Sequence, residues 1–215
     1  MPETNDLVYR TVQQLKETQM PRELAEKMLE PYPDEWIEWS NNGKAKVGKK
    51  WKTNVSPYVS GARVLVHLNG ILGPGNWHFA IKDVQSNYVE AAAIDGKHIP
   101  AHMLGVPLYI GLVGCFSAAG FATVCDVGED YATWGNLDPD DWKAGKALKK
   151  GASLKNAETD AIKRSVRNYG LGLYMWLTPP MYVDDYYDIP ASFTQKVQEI
   201  GQKIKKYVLK EVYGE

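Results

Sequence analysis

A row of basic side chains lies in the segment from Lys143 to Trp176, and its spacing suits the binding of phosphates. Lys163, Arg164 and Arg167 stand at positions i, i+1 and i+4, which share one face of a helix. Cations in such a row present donors along a line, as a string of phosphates requires. Asp160 is placed to pair with Lys163 or Arg164. The row predicts a polyanion-binding helix, and the alternative is the solvated basic face of an ordinary amphipathic helix.

Two further groups of lysines accompany this row. One precedes the helix and includes Lys143 and Lys146. The other lies in a loop between two predicted short strands, and its members are Lys46, Lys49, Lys50 and Lys52. The whole chain of 215 residues has a net charge of −1, so a nucleic-acid site must be a local basic surface.

A dense acidic group suggests a second kind of chemistry. Asp126, Glu129 and Asp130 lie close together in the strand region, and two or three carboxylates can hold the magnesium of a nuclease. The alternative is a polar strand edge whose carboxylates serve neighbouring groups. We favour the alternative, because no positioned general base accompanies the three acids.

The sequence contains no convincing pattern for another metal site, a cofactor site or a nucleotide site. His98 and His102 are four residues apart, but Pro100 between them disfavours the helix that would bring them together. The glycine-rich stretch GLVGCFSAAG lacks the Lys-Ser/Thr of a phosphate-binding loop. We therefore expect no metal, no cofactor and no ATP site.

The two cysteines and the N-terminus bear on the compartment. Cys115 and Cys125 lack zinc spacing and form no disulfide framework, so buried thiols near each other across a hairpin are expected. The first residues lack the pattern of a signal peptide, and no apolar run is long enough to span a bilayer. These features predict a cytoplasmic protein.

The elements that must position these side chains follow from hydrophobic periodicity. Helical spacing predicts a broken N-terminal helix over 7–30, a helix after Ser60, and a peripheral C-terminal helix over 191–213. Alternation of polar and apolar residues from residue 35 predicts the start of a hairpin over 35–59, and strand patterns predict a series of strands over 77–132. Helices, a hairpin and sequential strands before a long basic helix favour an α+β fold with antiparallel sheet.

Turn-forming residues mark where these elements end. Asn41-Asn42-Gly43 predicts a turn in the hairpin, and Gly73-Pro74-Gly75 ends the helix after Ser60. Ala119-Gly120 predicts a tight connection between two strands. In the basic helix, Thr159, Ile162, Val166, Tyr169 and Leu173 form the apolar stripe. Gly170 and Gly172 interrupt this helix near its end or allow close packing.

Three stretches together resemble the Rad52-type single-strand annealing proteins. YVSGARVLVHLNGILGPGNW resembles the family's Y-x-x-G-x-R-V…N-x-x-x-G…W segment, and FATVCDVGEDYA resembles its strand with Asp-Val-Gly. KNAETDAIKRSVRNYGLGLY resembles the helix signature Ala-x-Thr-Asp-x-(Leu/Ile/Phe)-Lys-Arg-x-x-Arg-x-(Phe/Tyr)-Gly. The stretch PYPDEWIEW is similar to the bacterial and phage branch, with its DdrA-like damage-response proteins and Sak-type phage recombinases. The resemblance spans residues 29–176.

This resemblance implies an architecture and a site. It implies a β-β-β-α core packed on a long basic helix, with subunits side by side in rings or arcs and single-stranded DNA in an outer basic groove. The family's groove cations correspond to Lys163, Arg164 and Arg167, with a hairpin contribution from Lys46, Lys49 or Lys50. A second family contact aligns with Ala144, so its role would pass to Lys143 or Lys146. The insertion over 95–105 has no counterpart in the family.

We therefore expect a non-enzymatic, ATP-independent protein that anneals complementary strands in recombination and repair. Its partners would be single-stranded DNA, further copies of itself, and a host single-stranded-DNA-binding protein or nuclease, in a bacterial or phage-infected cell. The expected organisation is a helical segment over 1–30, an annealing core over 31–178, and a linker with a helix over 179–215. The expected DNA-binding residues are Lys46, Lys49, Lys50, Lys52, Lys143, Lys146, Lys163, Arg164 and Arg167.

Three other functions share parts of this pattern. DdrA-like protection of 3′ ends would use the same basic residues, so only an activity assay separates it from annealing. A metal-dependent nuclease would use Asp126, Glu129 and Asp130 instead. A structural oligomer would use the basic helix to bind a protein partner.

Overall fold

The computed structural model describes residues 6–88, 106–134 and 148–214. The α-helices in these ranges are α1 (Asp6–Glu17), α2 (Arg22–Met28), α3 (Gly61–Leu72), α4 (Leu154–Arg167), α5 (Leu173–Leu177) and α6 (Ala191–Tyr213). The strands are β1 (Glu38–Val47), β2 (Lys50–Tyr58), β3 (Trp77–Tyr88), β4 (Pro107–Ala118), β5 (Val124–Tyr131), β6 (Thr133–Trp134), β7 (Leu148–Lys150) and β8 (Met181–Val183). A short 3₁₀ helix spans Asp34–Trp36.

The α+β class with antiparallel sheets is confirmed. In the described residues, β1, β2 and β8 form one sheet, β3, β4 and β5 form another, and β6 pairs with β7. The pairs β1–β2, β2–β8 and β4–β5 are all antiparallel. None of the described helices combines the length and apolar character needed to cross a membrane.

The chain divides into two compact units. The first contains residues up to 77, residues 118–122 and residues from 166 onward. The second contains residues 78–117 and 123–165. The boundary therefore falls within α4, after Ser165.

The C-terminal helix α6 is part of the core of the first unit, so its predicted peripheral position is wrong. Val197 and Val208 are completely buried. The Gln198 side chain donates to the Tyr32 carbonyl over 2.7 Å, and the Tyr213 hydroxyl donates to the Met20 carbonyl over 2.6 Å. The helical spacing of its apolar residues predicted the helix, but only its contacts with the N-terminal segment reveal its burial.

The first hairpin is longer than its sequence predicts. Strands β1 and β2 run through the lysine-rich segment and turn at Gly48–Lys49 rather than at residues 41–43. Asn41-Asn42-Gly43 instead forms a bulge, because the register shifts between Asn41 and Lys44 and Gly43 has φ of 90°. The Asn41 side chain accepts a hydrogen bond from the Gly43 amide, which is turn chemistry used inside a strand.

A third strand of this sheet was not predicted. Residues 181–183 fall within the acidic, aromatic segment that the sequence suggested was a linker, and they pair with β2. Met181 and Val183 are buried, whereas Tyr182 is 37% exposed. The strand has three residues, too few for a period-two pattern to be recognised.

In the second unit, the central sheet packs against α4. Ile110 and Leu112 of β4 form a buried cluster with Ala157 and Ala161 of α4. A Cβ atom on Gly128 would overlap the Ala157 carbonyl oxygen and the Ala161 amide nitrogen. The glycine of the Asp-Val-Gly motif therefore allows the helix backbone to lie directly on the strand.

The helix α4 is shorter than the predicted one and ends at Arg167. Gly170 and Gly172 follow with φ of 99° and 66°, and the side chains of Leu29 and Tyr32 occupy the space where their Cβ atoms would lie. Both predicted roles of these glycines are therefore confirmed. Of the predicted stripe, four members are buried, namely Ile162, Val166, Tyr169 and Leu173.

The prediction of two free thiols is wrong, because Cys115 and Cys125 form a disulfide. The two residues are direct partners in the antiparallel pairing of β4 and β5. A spacing of ten residues placed them on one hairpin, as expected, but only the register of that hairpin sets them opposite each other.

Candidate nucleic-acid interface

The lysines of the first hairpin divide between the two faces of its sheet. Lys46 is the cross-strand partner of Trp51, whereas Lys52 is opposite Ala45 and Lys50 is opposite Val47. Because cross-strand partners share a face and neighbours alternate, Lys46 and Trp51 lie on one face. Lys50 and Lys52 lie on the other.

Most of these lysines are fully available to solvent. Lys46, Lys49 and Lys50 are exposed, and no described carboxylate lies within ion-pairing distance of any of them. Lys52 is partly buried and pairs with Asp184 at 3.4 Å. The tip of the hairpin therefore carries concentrated positive charge with little internal neutralisation.

Trp51 stands among these lysines with 67% of its surface exposed. This exposure in the described structure is inconsistent with a role in core packing. Large aromatic side chains on a basic surface are typical of single-stranded nucleic-acid sites, since every base offers a face for stacking.

The tyrosine and arginine of the Y-x-x-G-x-R motif are Tyr58 and Arg63, and both form hydrogen bonds with Glu38. Arg63 donates to the Glu38 carboxylate over 2.8 Å and to the Trp36 carbonyl over 2.8 Å. The pKa of Tyr58 is raised to about 12, mainly by a hydrogen bond with Glu38 and to a smaller extent by burial. Tyr58 and Arg63 thus fix the base of the hairpin to the start of α3, a role that the motif alone did not reveal.

The cations of α4 are less free than those of the hairpin. Arg164 forms a 2.7 Å ion pair with Asp160, one of the two pairings that the sequence allowed. The same Asp160 oxygen accepts the Glu129 amide at 3.2 Å, so this carboxylate links the helix to β5. Lys163 is partly buried beside Arg164 on the helix.

Arg167 differs from both of its predicted companions. Only 9% of this residue is exposed, and its guanidinium group lies 4.5 Å from the centre of the Trp176 ring. A cation on an aromatic face is attracted by the electron-rich ring. The sequence spacing placed Arg167 on the basic face of the helix, but in the described structure its guanidinium group packs on this ring and is largely shielded from solvent.

The three acids proposed as an alternative metal site serve the fold. The Asp130 carboxylate accepts the Ser153 amide at 2.7 Å and the Asn156 side chain at 3.1 Å, which satisfies donors at the start of α4. The Glu129 carboxylate accepts hydrogen bonds from the hydroxyls of two tyrosines, and the Asp126 carboxylate accepts a hydrogen bond from the Val127 amide. Among the described residues, no group of three potential ligands could hold a metal ion.

Several predicted residues cannot be placed in this geometry. Lys143, Lys146, His98, His102 and the insertion over 95–105 lie outside the described residues. The site predictions for the two lysines therefore rest on the sequence alone.

Comparison with known proteins gives one match that covers most of the chain. The sequence model of the Rad52/22 family of double-strand break repair proteins matches residues 21–179. The match includes the first hairpin, the Asp-Val-Gly strand and α4. No curated protein matched the chain in a separate sequence comparison.

Proposed function

The chain belongs to the Rad52/22 family of double-strand break repair proteins, and we propose that it binds single-stranded DNA and anneals complementary strands without ATP. Membership of the family places the protein in DNA repair and recombination. The annealing activity, the bacterial or phage origin and the oligomeric ring are the further steps of the proposal.

The observation that carries the proposal is the basic, aromatic tip of the first hairpin. Lys46, Lys49 and Lys50 are exposed at this tip, and Lys46 shares a face of the sheet with Trp51, which has 67% of its surface exposed. Lysines bind the phosphates that all sequences share, and an aromatic ring stacks on any base. This combination grips single strands without sequence preference, as annealing of arbitrary sequences requires.

The helix α4 supplies a second basic surface in the proposal. We assign phosphate contacts to Lys163 and Arg164, and the Asp160 carboxylate at 2.7 Å holds the Arg164 side chain in one orientation. Arg167 contributes as a positioning residue, because it is buried on the Trp176 ring. Lys143 and Lys146 are assigned further phosphate contacts from their place in the sequence.

The proposed mechanism needs no covalent step. Lysine contacts neutralise phosphate charge and thereby lower the repulsion between two approaching strands. Each subunit offers few contacts, so subunits side by side would raise the total affinity through their effective concentration. Bases held away from the protein would then pair by their own complementarity.

The proposal is tested with a triple substitution, Lys46→Ala with Lys49→Ala and Lys50→Ala. Affinity for a labelled oligothymidine should fall about a hundredfold at low salt, and the slope of log affinity against log salt should fall by about 2. Annealing of complementary strands should fall in parallel. The matched control removes three exposed lysines elsewhere, Lys16, Lys27 and Lys210, and should change affinity less than about threefold.

Two results would contradict parts of this proposal. A parent protein that does not bind oligothymidine at low salt would exclude the nucleic-acid function. A parent protein that binds and shields 3′ ends from an exonuclease, but does not accelerate annealing, would favour end protection on the same residues.

A further inference from the structure

A groove of about 530 Å³ lies in the first unit between the hairpin and the C-terminal helix. Its walls come from the hairpin, from β8 with the prolines before it, and from the first half of α6. The residues that matter for its chemistry are Val47, Lys52, Tyr182, Phe193, Lys196 and Lys203.

Two walls of the groove are basic. Lys196 and Lys203 are exposed and lie seven residues apart on α6, so they share one side of the helix about 10 Å apart. Lys52 faces them from the hairpin, where Asp184 pairs with it at 3.4 Å. Among the described residues that line the groove, Glu199 is the one acid.

The floor of the groove is aromatic and apolar. Tyr182 lies between the buried Met181 and Val183 on β8, so its ring projects on the opposite side of the strand and is 37% exposed. Phe193 is held beside the Trp39 ring, with 5.9 Å between the ring centres. An exposed ring beside separated lysines offers stacking for a base and ion pairs for the flanking phosphates.

Most of this groove is built by residues that follow the family match, which ends at residue 179. Tyr182, Phe193, Lys196 and Lys203 all lie beyond that point. Lys52 is within the match and joins the groove to the hairpin. The C-terminal segment therefore adds a surface of its own to the annealing fold.

We propose that this groove binds a segment of single-stranded DNA, with Lys52, Lys196 and Lys203 on phosphates and Tyr182 stacked on a base. The proposal rests on the proposed function, since it gives the single strand a second place of contact. The net positive lining suits a polyanion, and the exposed ring favours a nucleic acid over a purely electrostatic ligand.

The electrostatic part is tested in the full chain with Lys196→Ala and Lys203→Ala. Affinity for labelled oligothymidine should fall about tenfold. The slope of log affinity against log salt (the salt slope) should fall by about 1.4, which corresponds to two phosphate contacts. The matched control is Lys206→Ala with Lys210→Ala, which removes the same charge from exposed positions of the same helix outside the groove. Equal losses in the two variants would overturn the proposal.

The stacking part is tested with Tyr182→Ala. Affinity should fall about tenfold while the salt slope stays unchanged, because stacking releases no counterions. Tyr182→Phe keeps the ring and should restore the affinity of the parent. A Tyr182→Ala variant that binds like the parent would remove the base from the proposal.

Failure of this proposal is distinguishable from failure of the proposed function. If the parent binds oligothymidine and loses affinity on substitution of Lys46, Lys49 and Lys50, but not of Lys196 and Lys203, only the groove is rejected. A labelled polyglutamate peptide supplies the other arm. Binding of that peptide, lost in the Lys196→Ala, Lys203→Ala variant while DNA affinity is unchanged, would assign the groove to an acidic protein segment instead.

Discussion

The first hairpin and the helix α4 carry similar basic residues in opposite physical situations. At the hairpin tip, Lys46, Lys49 and Lys50 extend into solvent, with no described carboxylate in ion-pairing range. On α4, Arg164 is tied to Asp160 and Arg167 is buried against an aromatic ring. The hairpin keeps its charge available, whereas the helix uses part of its charge to hold itself in place.

This difference decides how each region can be studied. Surface lysines can be removed with little effect on stability, since exposed substitutions usually change it by less than about 0.5 kcal/mol. Removal of a buried or paired arginine disturbs the fold as well as the surface. A loss of DNA binding is therefore direct evidence for a contact in the hairpin, but not in the helix.

The largest effect is expected where α4 rests on its sheet. Gly128→Val should lower the free energy of unfolding by about 4 kcal/mol, because the added side chain overlaps the helix backbone at Ala157 and Ala161. Urea unfolding followed by circular dichroism measures this. Gly70→Ala is the control, since it lies in a helix with open space around it, and it should stabilise by up to about 1 kcal/mol. A Gly128→Val protein as stable as the parent would mean that α4 is not seated on this strand.

The next effect concerns the buried cation at the end of α4. Arg167→Met should cost about 2 kcal/mol of stability, because it removes a charged group packed on the Trp176 ring. A double-mutant cycle with Trp176→Leu should give a coupling of about 1 kcal/mol. DNA affinity of the folded variant should stay within about twofold of the parent. A fall in the salt slope of about 0.7 would show instead that Arg167 contacts a phosphate.

The hairpin provides the contrasting substitution, Trp51→Ala. Because this side chain is 67% exposed, its removal should leave the unfolding midpoint unchanged. Affinity for oligothymidine should fall about tenfold through lost stacking. Trp51→Phe should recover most of that affinity. If Trp51→Ala instead destabilised the protein and left binding intact, the ring would have a packing role and the contrast with α4 would fail.

The smallest effect separates the two uses of charge on α4 itself. Asp160→Asn should lower stability by about 1 kcal/mol, since the acceptor for Arg164 and the Glu129 amide is weakened. The same substitution leaves the Arg164 charge less neutralised, so DNA affinity at low salt should rise about twofold. Thermal unfolding and oligonucleotide titration measure the two changes. A DNA affinity of the folded variant that is unchanged at low salt would contradict the assignment of a phosphate contact to Arg164.

The sequence by itself determined the parts of the fold that depend on near neighbours. The N-terminal helices, the helix after Ser60 and the helix over 191–213 follow from apolar spacing within a few turns. The positive φ angles of Gly73, Gly120 and Gly170 follow from the lack of a side chain. The family signature could also be recognised from the sequence alone, because a motif is a pattern of residues along the chain.

Only the tertiary structure decided which partners lie across long separations. Register assigned Lys46 and Lys52 to opposite faces and set Cys115 against Cys125, because a shift of one residue exchanges the faces of a strand. The burial of Arg167 depends on where the chain returns after the helix ends. The groove above Tyr182 requires β8 to pair with β2, a contact between segments more than a hundred residues apart. The burial of Arg167 and the pairing of β8 with β2 both depend on the packing of the first unit, which no local pattern encodes.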